Sequence, residues 1–231
     1  MAQRGRPRSF DREEALRKAT EVFWALGYEG ATLADLQTAM GGITAPSLYA
    51  AFGSKEELFR EAVELYSRTV GATMMRSLTE PATVRAAIAA FLLAAVDSFC
   101  CPGKPHGCLI VLGTMNCSRA SSSVQEHLHA IRQQADEHIR RRLERAVAEG
   151  DLPAGLDIAA IAAIASFYTT VLHGLAIRAR DGVSRQALTA AIDGAMAAWD
   201  TLVASPSTGS PSATSLNPAP GAAALTHKHQ S

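Results

Sequence analysis

The sequence is poor in the residue types that build β-sheets. Aromatic residues make up 6% of its 231 residues, and few segments are rich in valine, threonine and aromatics. β-Strands favour such residues, because branched and aromatic side chains pack well on a pleated surface. Alanine is abundant instead, and apolar residues recur at helical spacing, so the sequence predicts an all-α fold.

An excess of one charge is also missing. The 22 basic residues are balanced by 22 acidic ones, so any surface that attracts nucleic acid must be local. Residues 1–10, MAQRGRPRSF, contain three arginines and no acidic residue. We therefore predict a basic N-terminal arm at residues 1–10.

No apolar run follows Met1, so we expect no secretory signal peptide and a cytoplasmic protein. Residues 158–177 are apolar enough to raise the question of a membrane span. Ser166, Thr170 and His173 interrupt this run, which favours a helix buried in a protein core and no association with a membrane.

The few cysteines fall within one short stretch of the chain. They are Cys100, Cys101, Cys108 and Cys117. Their spacing lacks the paired knuckles of a structural zinc site, so we predict no metal and no cofactor. Cys108 opens a predicted helix close to Lys104, which leaves open an electrophile-sensing or redox-sensing thiol beside the simpler interpretation of a small buried apolar residue.

Signatures of nucleophilic catalysis are absent as well. No Ser/His/Asp or Cys/His arrangement has a recognised local motif, so we predict that the protein is not an enzyme. A helical enzyme of unknown activity and a purely structural helical assembly remain as alternatives.

The first 80 residues predict three helices followed by a long connector. The first helix spans residues 11–27, and the next two are separated by a glycine-containing turn. Serine and threonine side chains are placed to cap the later helices, because their oxygens can accept from free backbone N–H groups. These predicted caps are Thr32, Thr44 and Ser54.

Residues 11–53 fit the physical description of a helix-turn-helix unit, in which the last helix lies in the major groove of DNA. That helix carries little polar chemistry, and small side chains such as Ala45 and Ala50 let its backbone approach the base edges. Its hydroxyl-bearing side chains can bind bases or phosphates.

The segment ATLADLQTAMGGITAPSLYAAFGSKEELFREAVELY, residues 31–66, resembles the TetR/AcrR family of transcriptional regulators. The resemblance implies a DNA-binding unit (residues 11–53), a connector helix (54–80) and a C-terminal helical domain (81–204) that dimerises and binds a small-molecule inducer. Residues 205–231 are rich in Ser, Pro, Ala and Gly, and this composition predicts a disordered tail. The resemblance also implies a homodimeric repressor that an inducer releases from a double-stranded DNA operator. The DNA-binding residues that the resemblance implies are Thr32, Thr44, Pro46, Ser47, Tyr49 and Lys55. The basic arm adds Arg4, Arg6 and Arg8, and the slim recognition helix adds Ala45, as expected contacts.

The sequence departs from the family pattern in two places. Gly41 and Gly42 both precede Ile43, where members usually have one glycine. Alanines also replace the basic residues that members often carry in the recognition helix, so phosphate contacts, DNA shape and the arginine arm are expected to contribute more of the binding.

Beyond Pro81 the pattern predicts helices at residues 83–100, 107–118, 122–149, 156–180 and 184–203. The last two are apolar over much of their circumference, which predicts either a four-helix dimer interface or burial inside one protomer. The expected interface residues are Ile161, Ile164, Tyr168, Leu172, Ile192, Met196 and Trp199. The expected ligand-pocket residues are Phe91, Cys108, Met115, Phe167, Tyr168 and His173.

Overall fold

A computed structural model describes residues 10–115 and 117–204, and within these ranges the chain forms helices and connecting turns with no β-strand. The all-α prediction is therefore confirmed for the described residues. The predicted DNA contacts Arg4, Arg6 and Arg8 and the predicted tail at 205–231 lie outside them. The helices are α1 (Arg12–Gly30), α2 (Leu33–Ala39), α3 (Ala45–Phe52), α4 (Lys55–Tyr66), α5 (Ala72–Thr79), α6 (Val84–Phe99), α7 (Leu109–Leu112), α8 (Ser122–Glu149), α9 (Ile158–Arg180), α10 (Arg185–Ala197) and α11 (Trp199–Ala204).

Helix α1 begins at a side-chain cap and changes direction near its end. The Asp11 carboxylate accepts from the amide nitrogens of Glu13 at 2.9 Å and Glu14 at 3.2 Å, which satisfies N–H groups that have no partner inside the helix. Gly27 has φ 72° and ψ 175°, so the helical hydrogen-bonding pattern is interrupted there and one further turn reaches Gly30. The sequence predicted the interruption at Gly27 but not this last turn.

The connector predicted at residues 54–80 is a continuous helical segment with a π-helical stretch, Ser67–Gly71, between α4 and α5. Hydroxyl groups there bond to carbonyls one turn earlier: Ser67 Oγ donates to Val63 O at 2.9 Å, and Thr69 Oγ1 donates to Leu65 O at 2.8 Å. Such bonds compete with the α-helical pattern and accompany local changes of helix geometry.

The C-terminal helices α6, α8, α9 and α10 surround a core that is continuous with that of the N-terminal helices. Two predicted helices are shorter than expected. Helix α7 is a single turn instead of residues 107–118, and the helix predicted at 184–203 is divided at Ala198 into α10 and α11. Helix α9 is long and apolar enough to cross a membrane, but residues along one side of it are buried in this core.

Candidate DNA-binding interface and ligand cavity

The turn between α2 and α3 uses both of its glycines in the left-handed region of backbone space, with φ 89° at Gly41 and 73° at Gly42. The Gly42 amide donates to Gln37 O at 2.9 Å, and the Gln37 side-chain amide donates to Ile43 O at 3.0 Å. The second glycine is thus accommodated by a hydrogen-bonded turn that ends α2 and places Ile43 in the core.

Helix α3 separates an apolar inner side from a small, polar outer side. Leu48 and Phe52 are buried, whereas the side chain of Tyr49 is 43% exposed. Thr44 and Ser47 form the first turn, where their hydroxyl oxygens lie 2.9 Å apart and the Ser47 amide donates to Thr44 Oγ1. Both hydroxyls therefore sit at a helix N-terminus, the positive end of the helix dipole, which suits an anionic phosphate.

Ala45 and Pro46 occupy the first two positions of α3. Proline is well suited to this place, because the N–H that it lacks would have no partner inside the helix. Together with exposed Ala50, these residues keep the outer side of α3 slim.

Thr32 caps α2 in a reciprocal arrangement with Asp35. The Thr32 amide donates to Asp35 Oδ2 at 2.9 Å, and the Asp35 amide donates to Thr32 Oγ1 at 3.1 Å. The hydrogen bond from the Thr32 hydroxyl is the main reason that the pKa of Asp35 is lowered. Thr32 is exposed at the start of α2, so a DNA phosphate bound by Thr32 would lie at the same helical turn that Thr32 caps.

Lys55, another predicted DNA contact, is the first residue of α4 and packs against α1. Its Nζ lies 4.6 Å from the centre of the Tyr28 ring, which is within the range of a cation–π interaction. Partial burial is the main reason that the pKa of Lys55 is lowered. Its ammonium group therefore links α4 to the end of α1.

Arg12 holds α3 against the rest of the N-terminal helices. Its guanidinium carbon lies 4.4 Å from the centre of the Phe52 ring, and Nε donates to Ala51 O at 3.3 Å. An ion pair of 2.7 Å joins Arg12 to Glu61 of α4. The orientation of α3 is thus fixed from both α1 and α4.

A cavity of about 650 Å³ lies between the connector and the C-terminal helices. Three of the six predicted pocket residues, Phe91, Cys108 and His173, line it. The other three do not: Met115 and Phe167 point to the surface, and Tyr168 is buried against Trp199.

Sequence reasoning missed the walls that the connector and α8 contribute. These are Arg60, Glu61, Val63, Glu64, Tyr66, Ser67, Gly71, Ala72, Met74 and Met75 on the connector side, and His127, Ile131, Arg132, Gln134, Ala135 and His138 on α8. Ile110, Val111 and Leu172 complete the lining. The apolar residues among them show helical spacing, which indicates burial but does not distinguish a cavity wall from ordinary core.

Cys108 is buried at the cavity wall, where the Tyr66 hydroxyl lies 3.5 Å from its Sγ and donates to it. Burial raises the pKa of the Cys108 thiol and, still more, that of Tyr66. Cys108 is therefore a protonated thiol at neutral pH, not the activated thiolate of a preformed reactive site.

The segment around α7 joins this cavity to the DNA-binding helices. Trp24 Nε1 donates to Gly107 O at 3.0 Å, and the Tyr28 amide donates to Gly113 O at 2.8 Å. Arg180, at the end of α9, donates to Trp24 O at 3.0 Å and also to Ala25 O. Because residues between these two glycines line the cavity, α7 borders both the cavity and α1.

The predicted interface residues lie inside the protomer instead of on its surface. Ile161, Ile164, Tyr168, Leu172, Ile192 and Trp199 are buried, and Met196 is partly buried. The six buried residues thus belong to the core of the protomer, the alternative that the sequence left open. A helix that is apolar all round gives no periodic signal for which face points inward. The exposed sides of α9 and α10 carry the large apolar residues Ile158, Phe167 and Ile177 of α9 and several small residues, namely Ala162, Ala163, Ser166, Thr170, Ala187, Ala190, Ala191 and Gly194.

Comparison with known proteins identifies the family. The sequence model described as bacterial regulatory proteins, tetR family, matches residues 15–62, and that of the tetracyclin repressor-like C-terminal domain matches residues 84–193. The HTH-type transcriptional repressor ComR of Escherichia coli (strain K12) is 32% identical over 201 residues, which span 87% of this chain and 94% of ComR.

Solved structures agree. A cysteine mutant of the TetR family transcriptional regulator CifR, complexed with 26 bp double-strand operator DNA, is 43% identical with a TM-score of 0.80, over 84% of this chain and all of CifR. A putative TetR transcriptional regulator from Rhodococcus sp. RHA1 is 36% identical with a TM-score of 0.53, over 79% of this chain and 96% of the other. The chain belongs to the TetR family of transcriptional regulators.

Proposed function

We propose that this protein is a homodimeric repressor that binds an operator through α2 and α3 and is released by a small molecule in the cavity. The observation that carries the proposal is the outer side of α3, where exposed Tyr49 and the hydroxyls of Thr44 and Ser47 surround small residues. This is a surface that can enter a major groove. CifR, the relative solved with operator DNA, supports the same mode of binding.

The experiment that tests DNA binding is a mobility-shift titration with the DNA upstream of the protein's own gene, against a scrambled duplex of equal length. We expect a sequence-preferring complex at sub-micromolar protein that weakens as salt is raised, because binding releases counterions from DNA. Equal affinity for both duplexes would contradict the proposal.

For the dimer, we propose that the exposed small-residue sides of α9 and α10 pack against those of a second copy. Small side chains let helices approach closely, and two helices from each copy would form a four-helix interface. Ala163→Glu should convert the dimer to monomer in light-scattering chromatography, whereas Ala130→Glu on the exposed side of α8 should not. A dimer that persists in Ala163→Glu would place the interface elsewhere.

The regulatory step follows from the position of α7. A ligand in the cavity contacts Ile110 and Val111, and the glycines that flank α7 hold Trp24 and Tyr28 of α1. Occupancy is thus expected to change the separation of the two recognition helices, which in DNA-bound dimers matches major grooves about 34 Å apart. Regulators that act in this way function in the cytoplasm and need no catalytic activity or cofactor.

A second candidate mode is covalent sensing of electrophiles by Cys108, favoured by the position of its thiol at the cavity wall. A reactive ligand would have to bind first, because burial raises the pKa of this thiol. Operator affinity measured after complete modification of Cys108, confirmed by mass spectrometry, tests this mode. Unchanged affinity would eliminate it while leaving reversible induction in place.

A further inference from the structure

We propose that the cavity binds a singly charged oxyanion on an apolar body, such as a medium-chain or aryl carboxylate, and that Arg132 is the residue that binds the anionic group. The inference rests on the proposed function, since it takes the cavity to be the inducer site. It adds the chemical class of the inducer and the residue that selects it.

The apolar body is indicated by the walls. Most of the inward surface is aliphatic, aromatic or thioether, supplied for example by Val63, Met74, Phe91, Ile131 and Leu172. A cavity of about 650 Å³ with such walls takes a small organic molecule that is mainly hydrocarbon. Methionines among the walls can adapt to different apolar shapes.

The charge of the ligand is indicated by the ion pairs around the cavity. Both carboxylates that line it already face a cation: Glu61 pairs with Arg12 at 2.7 Å, and Glu64 lies 4.0 Å from Arg68. The lining cation Arg60 pairs with Glu56 at 2.8 Å.

Arg132 differs from these groups. No Asp or Glu of the described residues lies within ion-pair distance of it, so the lining and its paired neighbours carry one uncompensated positive charge.

Arg132 also has donors to spare. Its one hydrogen bond within the described part of the chain runs from Nη1 to Ile110 O at 3.0 Å, which leaves Nε and Nη2 for another acceptor. A planar guanidinium with two free N–H groups matches the two oxygens of a carboxylate. Partial burial lowers the pKa of Arg132, but the group stays charged at neutral pH.

Of the three histidines that line the cavity, His127, His138 and His173, burial lowers the pKa of His127 and His173, so neither of these two adds a second positive charge at neutral pH. Burial, and then the charge of Arg132, lower the pKa of His173, so its imidazole is neutral at pH 7. A neutral imidazole can exchange one hydrogen bond with the ligand but adds no positive charge. One charge favours a carboxylate over a phosphate dianion.

The test compares octanoate with octanamide, and 3-phenylpropanoate with 3-phenylpropanamide, by isothermal titration calorimetry. In the wild type each acid should bind about 10-fold or more tightly than its amide, because a charge-assisted bond replaces a neutral one. Arg132→Gln should abolish that preference and leave the amide affinity within about twofold, whereas Arg132→Lys should retain part of it. Arg141→Gln, an exposed charge removal on the same helix, should keep the wild-type preference.

Three results would overturn the inference. The wild type could bind acids and amides equally, both acids could fail to bind, or Arg132→Gln could weaken acid and amide binding by the same factor. Thermal denaturation of each variant shows whether the protein is folded, and Arg132→Lys keeps the test valid if the glutamine variant is not. Operator release is measured separately. If neutral compounds release the protein from the operator and the cavity shows no preference for acids, the proposed function stands and this inference fails. If acids bind selectively but never change operator affinity, the proposed function fails and this inference stands.

Discussion

The amide nitrogen of Tyr28 donates to the carbonyl oxygen of Gly113 at 2.8 Å, which joins the last turn of α1 to the end of α7. The bond forms because Gly27 turns the chain just before Tyr28, with a φ of 72° that side-chain-bearing residues rarely adopt. The DNA-binding helices and the cavity wall are therefore joined by a hydrogen bond between two main-chain groups.

Gly27→Ala should lower the free energy of unfolding by about 1–3 kcal/mol, since its backbone conformation is almost restricted to glycine. A methyl group there would also lie 3.2 Å from Gly113 O. Urea denaturation monitored by circular dichroism provides the measurement.

Gly30→Ala is the matched control for that substitution. Gly30 lies in the same turn without a positive φ, and an added Cβ would make an ordinary contact at 3.6 Å with Leu26. This variant should be neutral or more stable by up to about 1 kcal/mol. If the two variants were equally stable, the strained turn at Gly27 would not be needed in solution.

Trp24→Phe should lower the free energy of unfolding by about 1–3 kcal/mol, because it leaves the buried carbonyl of Gly107 without its donor. Phenylalanine can keep the edge-to-face contact with Tyr66, whose ring centre lies 4.9 Å away. Trp199→Phe is the control, because it removes ring volume from a buried tryptophan whose side chain makes no hydrogen bond among the described residues. The difference between the two variants gives the contribution of the Trp24 hydrogen bond. A smaller loss for Trp24→Phe than for Trp199→Phe would argue against the hydrogen bond.

Tyr49→Phe should leave stability unchanged within about 0.5 kcal/mol, as is usual for an exposed surface substitution. Its hydroxyl has no partner among the described residues and is expected to bind a phosphate, so operator affinity should fall by about 3- to 10-fold at every sequence. Fluorescence anisotropy with the operator and with single-base variants measures the affinities, and urea denaturation measures the stability. A change at only one base pair would instead assign Tyr49 to base recognition.

Stability should decrease as pH falls from 7 to 5.5, because the pKa of His173 is below its usual 6.5 in the folded protein. At pH values above 6.5 the His173 imidazole is mainly neutral in both the folded and the unfolded state. As the pH falls below 6.5, the unfolded state binds the proton before the folded state does, which favours unfolding. His173→Gln should make the free energy of unfolding less dependent on pH in this window. His127, whose pKa burial also lowers, accounts for part of the remainder. An identical pH profile for wild type and His173→Gln would contradict the assignment.

Local signals in the sequence were sufficient for the helix starts. Thr32, Thr44 and Ser54 each cap the helix that they were predicted to cap, and α8 spans the predicted residues 122–149. A cap depends on the side chain and the next three residues, so the information is contained in a few consecutive positions.

Features that depend on distant parts of the chain could not be predicted in this way. Helix α7 ends after one turn where Gly113 packs against Leu109 and Leu128 and bonds to Tyr28, a residue far away in sequence. The cavity walls of the connector and α8 have the same periodicity as core residues, and the inward face of α9 is hidden by apolar residues on all its sides. Only tertiary packing distinguishes these cases.

The link between α1 and α7 at Tyr28 and Gly113 has a consequence for how such a regulator can change. Both bonding atoms belong to the backbone, so this bond requires glycine at positions 27 and 113, where an added Cβ would crowd neighbouring backbone oxygens, and no particular side chain at position 28. Under the proposed function, residues that shape the cavity away from α7, such as Met74 and Ile131, can be exchanged to suit another molecule while this connection stays the same. Under the proposed function, ligand specificity and signal transmission rest on different residues of this chain, a property that suits a scaffold for biosensors against new compounds.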